Sequence, residues 1–422
     1  MTTSSPRNLE PMVVTFGCRL NAYESEVMRS HAIAAGRTNA IIVNTCAVTK
    51  EAERQGRQAI RRLRRENPNA EIIATGCAVQ LNPTSYSGMD SVDRTIGNEH
   101  KMKADSFFPN NDIPLLISDI MQLEETTPQQ IRGFGDRTRT FVQIQQGCNH
   151  RCTFCIIPFA RGNNRSVPIG QIANQVRSLV ANGNKEVVLT GVDIAGYGSD
   201  LPGRPTLGQM LRRLLQVVPE LNRLRLSTLD PANIDEDLFR LIGNDDRLLP
   251  HFHISAQSGD DIILKRMKRR HTSADIVAFC DRVKSLRPDV SFGADFIAGF
   301  PTETEKMFGN TLSLVDYVGL THLHVFPYSR RPGTPADRMP QVAKTVIKER
   351  AARLRSLGKG IMERYLREQR YKTLKVLMEE PHRGYSEHYI PVITTRTCEP
   401  GTILPVRITQ SSPMELTGEP LV

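Results

Sequence analysis

The chain has 422 residues, which at about 150 residues per domain allows two to three domains and an ample core. Hydrophobic residues make up 39% and charged residues 24%, a balance that excludes a mainly disordered chain. The formal charge of +10 suits a polyanionic partner such as nucleic acid, and no apolar run is long enough for a membrane-spanning helix. The opening MTTSSPRNLEPM lacks the apolar segment of a secretory signal, so a cytoplasmic location without membrane attachment is expected. Eight cysteines in such a setting point to metal or redox chemistry before structural disulfides.

In chain order, the first block reads βαβαβ. Short apolar strands are predicted over residues 13–16, 41–43 and 72–74, with helices over 23–35 and 50–65. Alternating strands and helices imply a parallel sheet. Cys18, Cys46 and Cys77 each fall just past the carboxyl end of a strand, the edge where open α/β sheets bind ligands. Residues 126–139 are polar with Pro and Gly and read as a linker. Six further strands are predicted over 140–146, 186–191, 224–228, 251–256, 291–298 and 322–326, separated by helical patterns. Six βα units suggest a partial (βα)6 barrel, not a full eight-fold one. A basic helix over 342–370 follows, then Pro- and Gly-punctuated β runs over 373–378, 389–394 and 402–408. This tail reads as a small antiparallel β-barrel of the oligonucleotide-binding style.

The strongest chemical signal is the C-x3-C-x2-C loop of Cys148, Cys152 and Cys155. Three thiolates within eight residues can grip one face of a cubic iron–sulfur cluster and leave one iron open. A zinc site would normally want a fourth ligand, and His150 is awkwardly placed to supply it. Cys18, Cys46 and Cys77 form a second trio in equivalent post-strand positions. Their spacing favours a second 4Fe–4S cluster with an open iron. Cys280 and Cys398 read as bystanders.

The stretches TFGCRLNAYESEVM (residues 15–28), VNTCAVT (43–49), ATGCAVQ (74–80) and QGCNHRCTFCIIPFARG (146–162) resemble the MiaB/RimO/MtaB methylthiotransferase family. So do QSGDDIILKRMKRRH (257–271), GADFIAGFPTET (293–304) and FPYSRRPGTPA (326–336). The wording CRLNAYESE and KRMKRRH is most similar to the MtaB branch. The resemblance implies an α/β chain of three parts: a methylthiotransferase N-terminal domain (11–125), the linker (126–139), a radical S-adenosylmethionine (SAM) barrel (140–364) and a TRAM-like β-barrel (365–422). It implies two 4Fe–4S clusters and SAM as cofactors. It also implies transfer of a methylthio group to C2 of N6-threonylcarbamoyladenosine beside the tRNA anticodon. A low-potential electron donor, such as a flavodoxin or ferredoxin, and a sulfur source are the implied partners besides tRNA.

By the same resemblance Arg161 is expected to pair with the SAM carboxylate, and Gly191 and Asp193 to form the turn at the SAM amino group. Gln257 and Ser258 are expected near the ribose, and Gly299 against adenine. Ala256 stands where the family would carry a bulkier aliphatic residue. For RNA, Arg54, Arg57, Arg61 and Arg64 follow helical spacing and are expected on one face, with Lys265, Arg266, Lys268 and Arg269 as a second patch. The tail is charge-balanced and does not itself announce RNA binding. The pairs His251/His253 and His322/His324 each project to one face of a strand. With two clusters assigned, packing or substrate hydrogen bonding is favoured for them over metal binding. Competing readings are the same chemistry on isopentenyladenosine tRNA or on a ribosomal-protein aspartate. In other classes stand a non-enzymatic iron–sulfur redox sensor that binds RNA and a zinc-binding RNA module.

Overall fold

The computed structural model describes residues 10–126 and 138–421, so nearly all of the expected linker lies outside the described residues. Two compact units divide the chain. The first takes the described residues up to 126 with 146–150 and 155–165; the second takes the rest. This partition differs from the expected one in two ways. The cysteine-loop segment alternates between units, and the C-terminal module belongs with the central barrel.

The first unit is a parallel sheet of five strands in sequence order: β1 (Met12–Thr15), β2 (Ala40–Thr45), β3 (Glu71–Gly76), β4 (Arg94–Ile96) and β5 (Leu115–Leu116). β2 is buried along its whole length, which is why it reads as an apolar run without alternation. Helices α1 (Arg19–Ala34) and α2 (Lys50–Glu66) make the first two crossovers, and α3 (Cys77–Leu81) follows β3 directly. Thr49 caps α2 by accepting from the Ala52 amide. Glu51 and Glu53 occupy its first turn, with Arg64 and Arg65 in its last, matching the helix dipole. Gly56, Ala59, Ile60 and Leu63 are the buried face of α2. Registry sets Thr15 beside Asn44 and Thr45 beside Gly76. The residues just past these three strand ends are therefore neighbours.

The second unit holds six parallel strand positions. Strands Arg139–Gln143, Glu186–Thr190 and Arg223–Leu226 form one sheet. The last continues past residue 227 as Thr228–Leu229, which begins a second sheet with His251–Gln257, Ser291–Ala298 and His322–Pro327. The expected open (βα)6 barrel is thus the observed fold. Along Ser291–Ala298, Phe292, Ala294, Phe296 and Ala298 are buried, whereas Asp295 and Ile297 on the other face are part-exposed. The C-terminal strands Thr373–Glu380, Arg383–Ser386, Pro391–Thr394, Leu416–Pro420 and Ile403–Ser411 close into a five-stranded barrel in that order. One correction applies to its expected antiparallel pairing: Pro391–Thr394 and Leu416–Pro420 run parallel.

This small barrel sits against the amino ends of the larger barrel's strands. Arg139 and Arg223 are first in their strands, both in register with Glu186. Arg225 Nε donates to Glu186 at 2.6 Å, and its other nitrogens donate to the Ser386 and Glu387 carbonyls at 2.8 Å. Arg223 reaches the Lys375 carbonyl at 2.5 Å. Arg139 stacks over the Tyr385 and Tyr389 rings. Tyr389 also lies parallel to His251 at 5.7 Å between centroids.

Candidate functional site

In the first unit Cys18 caps α1, Cys46 follows β2 and Cys77 opens α3. The approach is close. Gly17 has φ +97°, and a Cβ there would lie 2.7 Å from Cys46 Sγ. Only glycine lets the chain turn into α1 beside that sulfur. Burial pushes the Cys46 thiol up to about 11, and the Cys77 and Cys18 sulfurs both add to the rise. That mutual influence is the electrostatic sign of three sulfurs gathered at one sheet edge.

Behind the trio lies a buried ionic network that sequence reading missed. Arg161 donates to both oxygens of Glu24, at 2.7 and 2.9 Å, to Asn21 Oδ1 at 2.5 Å and to Gln146 Oε1 at 2.7 Å. Its Nε reaches Cys77 Sγ at 3.2 Å. Lys101 Nζ donates to Glu24 at 2.6 Å. Glu24 and Lys101 are wholly buried and Arg161 nearly so. Burial alone would raise the Glu24 carboxyl, but Arg161 and Lys101 outweigh it and hold the group at about 2. Two cations meet one carboxylate here, beside the Cys77 sulfur. Asn21 and Glu24 follow Cys18 at steps of three on α1, and that helical spacing was the available signal. Asn98 completes the wall, donating to the Ala160 carbonyl at 2.8 Å and contacting Cys77 Sγ at 3.8 Å.

Arg161 is therefore a correction. Its fork is engaged by Glu24, Asn21 and Gln146 in the interior, so it has none left for a SAM carboxylate.

Of the cysteine loop, Cys148 and Cys155 belong to the first unit. Cys148 N donates to the Gly162 carbonyl at 3.0 Å, and His150 N contacts Cys148 Sγ at 3.3 Å. Cys152, buried, belongs to the second unit. Arg269 Nη1 approaches its sulfur at 3.6 Å, while Nη2 donates to Asp230 and Ser255 Oγ, each at 2.9 Å. His271 bonds the other Asp230 oxygen at 3.3 Å. Burial opposes the Asp230 charge, but the His271 and Arg269 partners hold its carboxyl well below the usual range. Arg269 is thus corrected too: it is a buried support for Cys152, not a surface contact for RNA.

The other expected SAM residues divide. Gly191 packs on the Gln145 carboxamide, which accepts from the Val192 and Asp193 amides at 2.9 and 2.8 Å. This turn closes the Glu186–Thr190 strand, and the Asp193 charge is felt by Arg269. Gln257 ends its strand at φ +66°, a left-handed position rare for a side chain of its size and typical of sites held for function. Ser258 is buried, its hydroxyl accepting from the Asp260 amide at 3.2 Å and meeting Thr311. The Gly299 amide donates to Glu303 at 2.9 Å, and a Cβ there would lie 2.5 Å from Ile347 Cγ1.

The expected arginine face of α2 also needs correction. Arg54 and Arg61 are exposed, Arg54 being paired with Glu51. Arg57 lies over the Tyr86 ring, and Arg64 binds Asp93 and the Ala70 carbonyl. The solvent face carries Arg61, Arg62 and Arg65 instead. Lys265, Arg266 and Lys268 are exposed at the end of helix Asp261–Met267.

Residues 142–315 match the Radical SAM superfamily, and residues 11–97 match a family described as Uncharacterized protein family UPF0004. A threonylcarbamoyladenosine tRNA methylthiotransferase MtaB from Rickettsia prowazekii (strain Madrid E) is 52% identical over 385 residues, 91% of each chain. A protein of the same name from Aquifex aeolicus (strain VF5) is 33% identical over 93% of this chain and 98% of its own. A tRNA-2-methylthio-N(6)-dimethylallyladenosine synthase from Bartonella bacilliformis (strain ATCC 35685 / KC583 / Herrer 020/F12,63) is 31% identical over 99% of both. Among solved structures, the radical S-adenosylmethionine methyltransferase TsrM from Kitasatospora setae, with tryptophan and a SAM analog bound, shares the fold. Its TM-score is 0.55 at 14% identity, over 78% of this chain and 75% of that one. No helix among the described residues is long and apolar enough to cross a membrane.

Proposed function

Because the chain belongs to the methylthiotransferase family, in its MtaB branch, we infer that it adds a methylthio group to C2 of N6-threonylcarbamoyladenosine in tRNA by radical SAM chemistry. The 52% identity to the Rickettsia prowazekii threonylcarbamoyladenosine enzyme, against 31% to the Bartonella bacilliformis synthase, favours that base over a dimethylallyl one. In this reading Cys148, Cys152 and Cys155 hold the 4Fe–4S cluster that binds SAM, and Cys18, Cys46 and Cys77 hold a second. When bound, these groups supply the electron that cleaves SAM to a carbon radical and the sulfur that is methylated and transferred.

The residues present suit that chemistry. Soft thiolates are the donors such clusters take. Without metal, burial disfavours a Cys46 thiolate; the charge of bound iron reverses that preference. Each trio has one buried guanidinium on a ligand sulfur, Arg161 at Cys77 and Arg269 at Cys152. Such donors hold a thiolate in place and offset its charge. Asp193, Gly191, Gln257, Ser258 and Gly299 are the residues for SAM. Arg54, Arg61, Lys265, Arg266 and Lys268, joined by Arg62 and Arg65, are the residues for the tRNA backbone. A low-potential reductant and a sulfur source complete the partners, and the cytoplasm is where the tRNA substrate is found.

The observation that carries the two-cluster reading is the first trio: three cysteines past adjacent, in-register strand ends, with Cys46 sensing both other sulfurs. Nucleoside mass spectrometry of tRNA tests the reaction. Cells lacking the gene should lose 2-methylthio-N6-threonylcarbamoyladenosine, and its persistence would refute the assignment. Iron analysis tests the second cluster. The reconstituted chain should carry about eight irons, and a Cys18→Ala/Cys46→Ala/Cys77→Ala variant about four with SAM cleavage retained.

A further inference from the structure

The barrel contains a further candidate metal centre that the iron–sulfur chemistry does not use. His253, Asp295 and His324 come from three adjacent strands: His251–Gln257, Ser291–Ala298 and His322–Pro327. Registry pairs Asp295 with His324 and His253 with Gly293, two residues before Asp295 on the same face. The two imidazoles converge on one atom. His253 Nε2 and His324 Nδ1 each lie 3.0 Å from Asp295 Oδ1, with ring centroids 4.5 Å apart. The three donor atoms all lie within 4.8 Å of one another.

Gly293 makes this arrangement fit. A Cβ there would lie 2.4 Å from His253 Nδ1, so any larger residue would push the imidazole off the strand. The sequence pattern displayed the two histidine pairs but not Asp295, because the pairing of strands 40 residues apart is not written locally. Packing, one of the two readings the sequence favours beside substrate hydrogen bonding, suits His251 and His322, whose rings meet edge to face while Tyr389 stacks on His251. It does not describe the next layer, where a carboxylate joins two rings and the His324 side chain is 59% exposed.

We propose that His253, Asp295 and His324 form a two-histidine, one-carboxylate site for an octahedral divalent transition ion such as Fe2+, Co2+ or Mn2+. The donor set points to this class: two imidazoles and one carboxylate within reach of a single ion match the 2-His-1-carboxylate pattern of non-haem iron. Imidazole donors disfavour Mg2+ and Ca2+, which take oxygen shells. The exposed edge of His324 leaves the remaining positions to water or to a ligand with oxygen donors.

The test uses the cluster-loaded protein under anaerobic conditions, titrated with Co2+. One equivalent should bind with ligand-field absorption and no thiolate charge-transfer band, while iron and sulfide content stay constant. Asp295→Asn and His324→Gln should each weaken Co2+ binding at least about tenfold. The exposed His324 makes its variant a safe one for folding. Equal Co2+ uptake by His324→Gln, no uptake by the parent protein, or a spectrum showing sulfur ligation would each overturn the site. None of these readouts depends on tRNA modification, so the site and the proposed reaction stand or fall separately.

Discussion

Replacing Glu24 by Gln removes the carboxylate that Arg161 and Lys101 share beside Cys77. The structure fixes the size of the effect. A carboxyl held at about 2 in the fold, against an ordinary 4.5, contributes about 3 kcal/mol at neutral pH. Removing one partner of a buried ion pair costs about 3–5 kcal/mol by a separate route, because the remaining charge is left uncompensated. The two figures agree, so Glu24→Gln should lower the stability of the first unit by about 3 kcal/mol at pH 7. The pH dependence carries its own sign. Glu24 is depressed in the fold, so its contribution is present above pH 4.5 and is lost as pH falls toward 2. The gap between parent and variant should therefore shrink by about 2 kcal/mol between about pH 5 and pH 3. Urea unfolding of the cluster-free chain, followed by a probe in the first unit, measures both. A variant within about 0.5 kcal/mol of the parent at pH 7, or a gap that ignores pH, refutes the assignment of Glu24 as counter-charge.

Four further outcomes are expected. Arg269→Met should cut 5′-deoxyadenosine formation from SAM while leaving the iron bound at Cys18, Cys46 and Cys77 unchanged, since the ligand sulfur that Arg269 reaches is Cys152. Arg61→Glu with Arg65→Glu should flatten the salt dependence of tRNA binding by about two phosphate contacts, read by filter binding at several ionic strengths. Arg64→Ala should instead cost about 1–2 kcal/mol of stability with tRNA affinity kept, because that side chain is tied to Asp93 and the Ala70 carbonyl. Gly299→Ala should cost about 1–3 kcal/mol, since φ is +73° and the new methyl meets Ile347; an unchanged melting temperature contradicts this.

Much of the fold was legible because buried parallel strands are written as apolar runs. The strand Ser291–Ala298 has the predicted bounds, and all three early cysteine strands are present, the first shifted by one residue and the other two lengthened by three. β4 and β5 escaped notice because two or three residues are too few to show a pattern. The cysteines were legible for a related reason: a residue that follows a strand end inherits a place in space from the sheet. Arg161 was misplaced because its partner Glu24 lies 137 residues away, and sequence proximity to the Cys148 loop suggested a nearer role. Arg269 and Arg64 show the same limit. A run of basic residues gives no sign of which member turns inward to meet a carboxylate.

The arginine cap at the amino end of the central barrel has a practical consequence. Arg223 and Arg225 satisfy their guanidinium groups on main-chain carbonyls of the small C-terminal barrel, so no side-chain substitution there can release them. A chain truncated before Thr373 would strand three guanidiniums around Glu186 alone. The two barrels are consequently a single unit of inheritance. A chimera that exchanges the C-terminal module between relatives must keep the matching backbone path at Lys375, Ser386 and Glu387, or move Arg139, Arg223 and Arg225 along with it.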